Sequence, residues 1–463
     1  MAAPRSASSS TRARWPWAAT PARSSRGTPP DAVAAHTVLS TRTESEGYDL
    51  TLRAKDRDGQ PTTGTVTLKG ANAPYFRYHR VPEDGLTLHL PRDTYSAMMF
   101  KDVRGAHGPY SKGLALLGDP EVELTDPTTV TFDAFEARQV RALTPRPSMP
   151  TNTRVEYWRS FTTAQPEPGT YGDWIDRTKM IDATYDSVWA QPSPERVKVG
   201  GIDFTTRWRA PQTPLHVSHG THDLDVLMQR GAKPLPVGSA NLDAVSAGTG
   251  SAAEYTQLSA RGKAAVVRRS ATVTPLAQTQ AAQAAGVRLL LVVNDAVGRL
   301  HTCYGDSEYL SPGPLAVASV TRSDGEALIA DIAASPGDRT RLRTTAHPVP
   351  SYLYDLVSHH TTAIPPDLTH RADARNLARV DVTFGHGAST PASETRVDLP
   401  RYLLGGAWNF LTQPVQRGQR TDWVSTSGDI RWQQRVDVGE VTTETSEAVT
   451  YPFAGTHQFT DRR

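Results

Sequence analysis

A chain of 463 residues exceeds one ordinary domain, and at about 150 residues per domain it suggests about three. With 50 basic against 48 acidic side chains, a formal charge of +2 and the two signs interleaved, it excludes a dedicated nucleic-acid surface. It holds no apolar run of about 18 residues, so no membrane-spanning helix is predicted, and Cys303, the single cysteine, excludes an intrachain disulfide.

The 38% hydrophobic content, with 35 prolines and 34 glycines, fits β-rich modules joined by many turns. Residues 1–37 are rich in Arg, Ser, Ala and Pro and lack an apolar core long enough for a signal peptide. Such composition buries too little surface to offset ordering, so disorder is expected there. The segment reads as foreign to the domains behind it, as though the chain began inside a longer ancestral gene.

From Tyr48 the pattern turns to short alternating runs. Tyr48–Ala54 alternates with period two, Asp56–Pro61 supplies turn chemistry, and Gly64–Leu68 alternates again. Further runs at Leu86–Leu90, Thr94–Met98, Glu121–Leu124 and Thr129–Phe132 complete a β-sandwich predicted over 38–143. Residues 144–234 read as a mixed β linker module: Pro145, Pro147 and Pro150 open it, Thr153–Trp158 is a strand, and Trp174, Trp189 and Trp208 follow. That aromatic density is how a β-module fills its core; the alternative is a ligand platform.

Residues 235–345 differ from the rest. Gly262–Arg269 holds an apolar run bounded by charge, as a central strand does. Leu276–Ala285 is made of helix formers with Gly286 as its C-cap, and Val287–Val293 is a second buried strand ending at Asn294-Asp295. Leu315–Val320 is a third strand, after which Ser323 is placed to cap a helix over Asp324–Ala334, with Glu326 completing a capping box. The order β-α-β, loop, β-α predicts a small sheet with helices packed on it. Residues 346–463 return to short strands, at Arg379–Phe384, Asp422–Ser425 and Ile430–Gln433, and read as a second sandwich-like module. The fold class expected is multidomain and mainly β, with β-sandwich modules flanking a small α/β domain.

Two resemblances follow from these residues. Asp56-x-Asp58-Gly59-x-Pro61 with Gly64-x-Val66-x-Leu68, then Asp84-Gly85 and Leu86-x-Leu88, resembles the carboxypeptidase-regulatory or transthyretin-like sandwich. More specifically, Gly262–Ser270, Ala284-Ala285-Gly286-Val287 through Asn294, and Asp324-Gly325-Glu326-Ala327-Leu328 resemble a protease-associated (PA) domain. Ser270 stands where that family usually has Gly, and its usual Cys is absent. A PA domain between sandwiches, with Arg420-Thr421-Asp422-Trp423-Val424-Ser425 near the end, resembles the C-terminal, non-catalytic half of large actinobacterial subtilisin-like serine peptidases. The resemblance implies a secreted or cell-surface accessory region whose partners are protein or peptide substrates, or a peptidase domain. The loops around Arg268, Arg269, Asn294 and Asp295, extending to Ser311, are the binding surface it points to, because loops held by a rigid sheet carry recognition.

The chemistry was tested against this. His219-Gly220-Thr221-His222 matches the histidine motif of subtilisin-like enzymes, but a triad needs a serine within hydrogen-bond reach and an aspartate fixing the tautomer. No Asp-Ser-Gly or Asp-Thr-Gly stands upstream of His219, and Gly248-Thr249-Gly250-Ser251 follows too closely for a doubly wound domain to fit between. His219 and His222 are therefore read as a decoy, and no catalytic residue is assigned. The spacing His216-x2-His219-x2-His222 drifts about 60° per step on a helix and scatters further in an extended chain, so no metal site is expected; His359-His360 with His370 is weaker still. No cofactor is expected, since phosphate-binding, dinucleotide and zinc-protease motifs are absent. Two alternatives stand beside the accessory reading: a free-standing extracellular adhesion or glycan-binding protein, and an independent hydrolase using His219 or His222.

Overall fold

A computed structural model describes residues 46–452, leaving out 73–74, 163–173, 306–312, 336–339, 386, 388–389, 400–411, 427–430 and 440–448, and the backbone of 20–24 and 37–41. Strands β1 (Thr20–Ser24) and β2 (Thr37–Thr41) pair antiparallel, which places β1 and the first residue of β2 in the segment 1–37 expected to be disordered. A ladder of this kind takes its hydrogen bonds from the backbone and needs no apolar side chain. The remainder of 1–37 lies outside the described residues.

The first sandwich is built from β3 (Gly47–Lys55), β4 (Gly64–Gly70), β5 (Phe76–Val81), β6 (Leu86–Pro91), β7 (Asp93–Arg104), β8 (Lys112–Leu124), β9 (Thr128–Asp133) and β10 (Arg138–Leu143). The β3–β4 turn follows from its residues. Asp56 Oδ1 accepts from the amides of Asp58 (2.8 Å) and Gln60 (2.9 Å), and Gly59 takes φ +77°, which L side chains rarely adopt. Alternation then sends Leu50, Leu52, Val66, Leu68, Leu117 and Phe132 into one core between a three-stranded sheet, β6-β3-β9, and a longer one containing β5-β4-β7-β8.

After β10 come β11 (Asn152–Ser160), β12 (Trp174–Ile181), β13 (Ser187–Ala190) and β14 (Gly201–Pro211). The α/β part holds β15 (Leu215–His219), β16 (His222–Asp223), β17 (Val226–Met228), β18 (Gly238–Ser246), α1 (Ala252–Tyr255), β19 (Ala264–Arg268), α2 (Pro275–Ala284), β20 (Leu289–Val293), β21 (Ala316–Val320), α3 (Arg322–Ala334) and β22 (Arg341–Ala346). The chain finishes with β23 (Tyr352–His360), β24 (Thr369–Arg371), β25 (Leu377–Phe384), β26 (Ala392–Leu399), β27 (Gln413–Pro414), β28 (Gly418–Ser425), β29 (Arg431–Val438) and β30 (Val449–Pro452).

The sheets do not respect the boundaries drawn from sequence at 143, 234 and 346. β13 pairs with β8 and β10, and β24 pairs with β10, making the first sandwich's larger sheet seven-stranded. Segments read as separate modules, 144–234 and 346–463, share a six-stranded sheet of order β12-β11-β14-β23-β28-β25. A four-stranded sheet, β27-β26-β29-β30, covers it. The result is a stack of three-, seven-, six- and four-stranded sheets. Local patterning marks each strand but carries no record of which distant strand completes the ladder.

The α/β module is an insertion between β14 and β23, which are themselves paired antiparallel with Pro211 opposite Leu353. Gln212 N donates to Tyr352 O at 3.1 Å, so the module leaves and re-enters the sandwich across one rung. Its eight strands run β16-β15-β22-β18-β19-β20-β21-β17, with β18, β19, β20 and β21 mutually parallel. Because β15 and β17 belong to this sheet, the module begins at Leu215 rather than 235. Its central strands are buried on both faces: Val266, Leu291 and Ala318 pack with Leu328 of α3, while Val267, Leu290 and Val317 pack with Ala282 of α2.

Two helix starts differ in detail from expectation. Thr274 caps α2, its hydroxyl accepting from Ala277 N at 3.2 Å with Pro275 at the first helical position, and Gly286 takes φ +74° just past the end. For α3 the cap is Thr321, which accepts from Asp324 N at 3.3 Å, not Ser323; Glu326 turns away to an ion pair with Arg268. The strand β21 ends one residue before Thr321, so the helix begins as early as the sheet allows.

Candidate functional site at the carboxyl edge of the parallel strands

In open α/β sheets ligands settle outside the carboxyl ends of the parallel strands. Here β18, β19, β20 and β21 deliver Gly248–Ser251, Arg268–Ser270, Asn294–Gly298 and Thr321 to that edge. The first loop is closed on itself. The Glu254 carboxylate accepts from Thr249 N (2.9 Å), Thr249 Oγ1 (2.9 Å), Ser251 N (2.8 Å) and Ser251 Oγ (2.7 Å). Burial acts to raise this carboxyl, but those donors outweigh it and hold it at about 2. The Gly-Thr-Gly-Ser sequence is therefore an anion nest filled by the chain's own glutamate.

The arginines are exposed and paired. Arg268 Nε and Nη2 make a two-pronged contact with Glu326 at 2.9 and 2.7 Å, and Arg269 Nη1 reaches Asp295 at 3.0 Å. The Glu326 hydrogen bond raises the Arg268 guanidinium above its ordinary value, and the same bond lowers Glu326. Asn294 is placed differently: it is buried, and its amide donates to Ala296 O (3.2 Å) and Gly298 O (2.6 Å). It shapes the loop from within, whereas Arg268, Arg269 and Asp295 face solvent.

The same loop forms a joint with the first sandwich. Gly298 N donates to Tyr110 O at 2.7 Å, Arg299 N donates to Thr184 O at 2.9 Å, and Arg322 lies 4.2 Å from the centre of the Tyr110 ring. Arg299 holds Asp225 through two hydrogen bonds, 3.0 and 2.7 Å, while His107 Nδ1 sits 3.4 Å from Asp186 and 3.9 Å from Asp225. The Asp186 hydrogen bond raises His107, with Asp225 adding to it against burial and Arg299. Burial would raise Asp186, yet His107, Ser187 and the Ala106 amide bring it below its ordinary range. Sequence reasoning missed this joint, because residues from 107, 186, 225 and 299 share no local pattern. Residues 306–311 of the loop expected to bind partners lie outside the described residues.

His219 and His222 sit on a hairpin, β15–β16, turned at Gly220 with φ +60°. His216 Nε2 lies 3.1 Å from Asp223, His219 Nδ1 3.5 Å from Asp331, and His222 Nε2 2.9 Å from Asp324. Each imidazole meets its own carboxylate, and among the described residues none meets a hydroxyl, so no charge relay is assembled there. No group of three ligating side chains with metal-binding geometry occurs among the described residues. His359 instead meets Asp203 (3.0 Å) and Thr205 (3.0 Å), His360 stacks on Phe204, and His370 stacks on Trp208.

A second feature escaped sequence reasoning. Between the six- and four-stranded sheets, Arg154, Arg207, Arg209, Arg396 and Arg420 face Glu156, Asp355, Glu394, Asp398 and Asp422 in a buried or nearly buried layer. Asp355 is fully buried and accepts from Arg207 (3.2 Å), Arg209 (3.2 Å) and Arg396 (2.8 Å). Arg396 also donates to Asp422 at 2.7 Å, and Arg420 bridges Asp422 (2.6 Å) to Glu394 (2.8 Å). Burial acts to raise Glu394, but Arg209, Arg396 and Arg420 hold it far below the usual carboxylate range. Charges alternating with apolar residues on a strand ordinarily face water, and nothing local says that a further sheet covers them.

No family model matches the chain, and no curated protein matches it. Solved structures do. An aminopeptidase from Aneurinibacillus sp. strain AM-1 is 17% identical over 35% of this chain and 35% of its own, with a TM-score of 0.25. A zinc aminopeptidase from Bacillus subtilis is 18% identical over 34% and 35%, TM-score 0.24. A psychrophilic subtilisin-like protease from Pseudoalteromonas sp. AS-11 is 16% identical over 36% and 44%, TM-score 0.20. The matched part thus spans about a third of each aminopeptidase and under half of the protease. At these scores the likenesses place peptidases among the neighbours of this mainly β chain and carry no argument about its chemistry.

Proposed function

We propose that the chain is a non-catalytic accessory region of a secreted subtilisin-like serine peptidase, and that its inserted PA-like module presents protein or peptide substrates to the peptidase domain. The observation that supports this reading is the exposed edge where Arg268–Glu326 and Arg269–Asp295 stand side by side. These surface pairs add little stability in water, so a partner's charges exchange with them at small cost. The rigid two-sided sheet beneath fixes their spacing, which is what recognition by loops requires. Asn294 acts from inside, keeping the β20 loop in shape.

The test is capture of unfolded casein and of a separately expressed subtilisin-type catalytic domain by the full chain. The double variant R268E/R269E is expected to reduce capture at least about tenfold, equivalent to about 1.4 kcal/mol. Capture unaffected by the reversal would remove the edge from consideration. Casein hydrolysis by the chain alone, abolished in H219A, would instead establish the independent hydrolase.

A further inference from the structure

The seven- and six-stranded sheets pack face to face over most of their area, but the filling stops where their open edges coincide. β5 ends one sheet and β12 ends the other. Arg177 of β12 lies 4.7 Å from the centre of the Tyr78 ring of β5 and donates to Thr67 Oγ1 at 3.3 Å, so the two edges overlie one another. Between them lies a cavity of about 290 Å³, near the lower end of the range for small-ligand sites.

Its floor and its rim differ in chemistry. Met98, Leu116, Tyr157 and Ile175 make an apolar floor, all of them buried. Arg177 and Lys179 stand at the rim, and among the described residues neither is ion-paired. Arg80, two positions from Tyr78 on the same face of β5, adds a third cation. Asp176 is the one acidic residue of the lining; strand alternation turns it and Thr178 to the opposite face, where Asp176 feels the charge of Arg154 and, across its own strand, that of Arg177.

Five consecutive residues of β12, Ile175–Lys179, border the cavity, so its wall is the strand edge itself. Among the described residues no strand pairs with the outer side of β12. An edge of this kind offers a row of free amides and carbonyls to an added strand.

We propose that this cavity receives the carboxyl-terminal residue of a peptide. Its apolar or aromatic side chain occupies the floor, its terminal carboxylate meets Arg177 and Lys179, and the residues before it extend along β12. The volume accommodates one side chain, the rim supplies positive charge that among the described residues has no ion pair, and the edge supplies main-chain hydrogen bonds. This site lies in the sandwiches and does not depend on the PA-like edge.

Calorimetric titration of the full chain with a hexapeptide ending in phenylalanine tests it, against the same peptide amidated and against 3-phenylpropanoate. The free acid is expected to bind, with amidation weakening it at least about tenfold and R177A/K179A doing the same. Thr65→Trp, which fills the cavity, is expected to abolish binding, and R268E/R269E is expected to leave it unchanged. If T65W fails to fold, R177A/K179A decides alone, both residues being at a strand edge. Equal binding of acid and amide overturns the proposal, as does no binding by the unmodified chain. Equal affinity for 3-phenylpropanoate overturns it in favour of a small-carboxylate site.

Discussion

The six-stranded sheet meets its two neighbours in opposite ways. Toward the seven-stranded sheet it shows Val155, Tyr157, Phe204, Trp208, Tyr354 and Leu356, an apolar face that meets Met98, Leu116 and Val188. Toward the four-stranded sheet, residues one step along the same strands show Arg154, Glu156, Arg207, Arg209 and Asp355. Both faces are covered, yet one is held by apolar contact and the other by pairing of opposite charges. The apolar face tolerates any register that keeps oil against oil. The ionic face tolerates only a register in which every guanidinium finds its carboxylate, so its contribution lies in alignment more than in net stability.

That comparison can be broken or sharpened by experiment. The largest effect is expected from Asp355→Ala, which takes one shared carboxylate from three buried arginines, leaving each with fewer carboxylate contacts, and costs about 3–5 kcal/mol in chemical denaturation. Its neighbour on the other face, Leu356→Ala, is expected to cost about 2–5 kcal/mol through lost burial and a cavity. A loss for Asp355→Ala of about 1 kcal/mol or less, the size of an exposed pair, would mean the charges are hydrated after all.

Acid separates the faces next. Glu394 lies below its unfolded value, so the stability it contributes is complete above about 4.3 and is lost as pH falls toward about 2. Tryptophan fluorescence from Trp432, which lies over Arg207, is expected to report this loss before the apolar interlayer yields. Simultaneous loss of both would contradict it.

The smallest effect belongs to the half-exposed ion pair of His107 at the joint. Its pKa is raised by Asp186, so its contribution is complete below the ordinary histidine value and fades as pH rises through the higher folded value. His107→Gln is expected to change stability by at most about 1 kcal/mol, and to flatten the pH dependence of amide exchange around 105–111. The pH profile is the readout, because a residue that only packed would leave it unchanged.

Much of the strand and helix content was legible because period-two runs such as Tyr48–Ala54 and buried runs such as Leu289–Val293 state their own environment. The β-α-β order of the inserted module was legible for the same reason. The sheet partners were not, since Pro211 and Leu353 are joined by a rung that no local pattern encodes. Nor was the ionic layer: Glu394-Thr395-Arg396-Val397-Asp398 reads as a solvated strand until a second strand set of matching charge is laid against it. At the candidate site Arg268 and Arg269 were legible as exposed loop residues, while the burial of Asn294 was not, because a polar residue after a strand looks the same whether it faces solvent or ties its own loop.

The rung at which the chain leaves and re-enters the sandwich also governs how the molecule bears load along its backbone. Tension that arrives at β14 and β23 is handed directly from one to the other, because these strands are bonded side by side. The loop between them, residues 212–351, stays slack while Gln212 remains tied to Tyr352 and Ser351. The α/β module is thereby shielded from pulling on either end and gives way only after the ladder beneath it has torn.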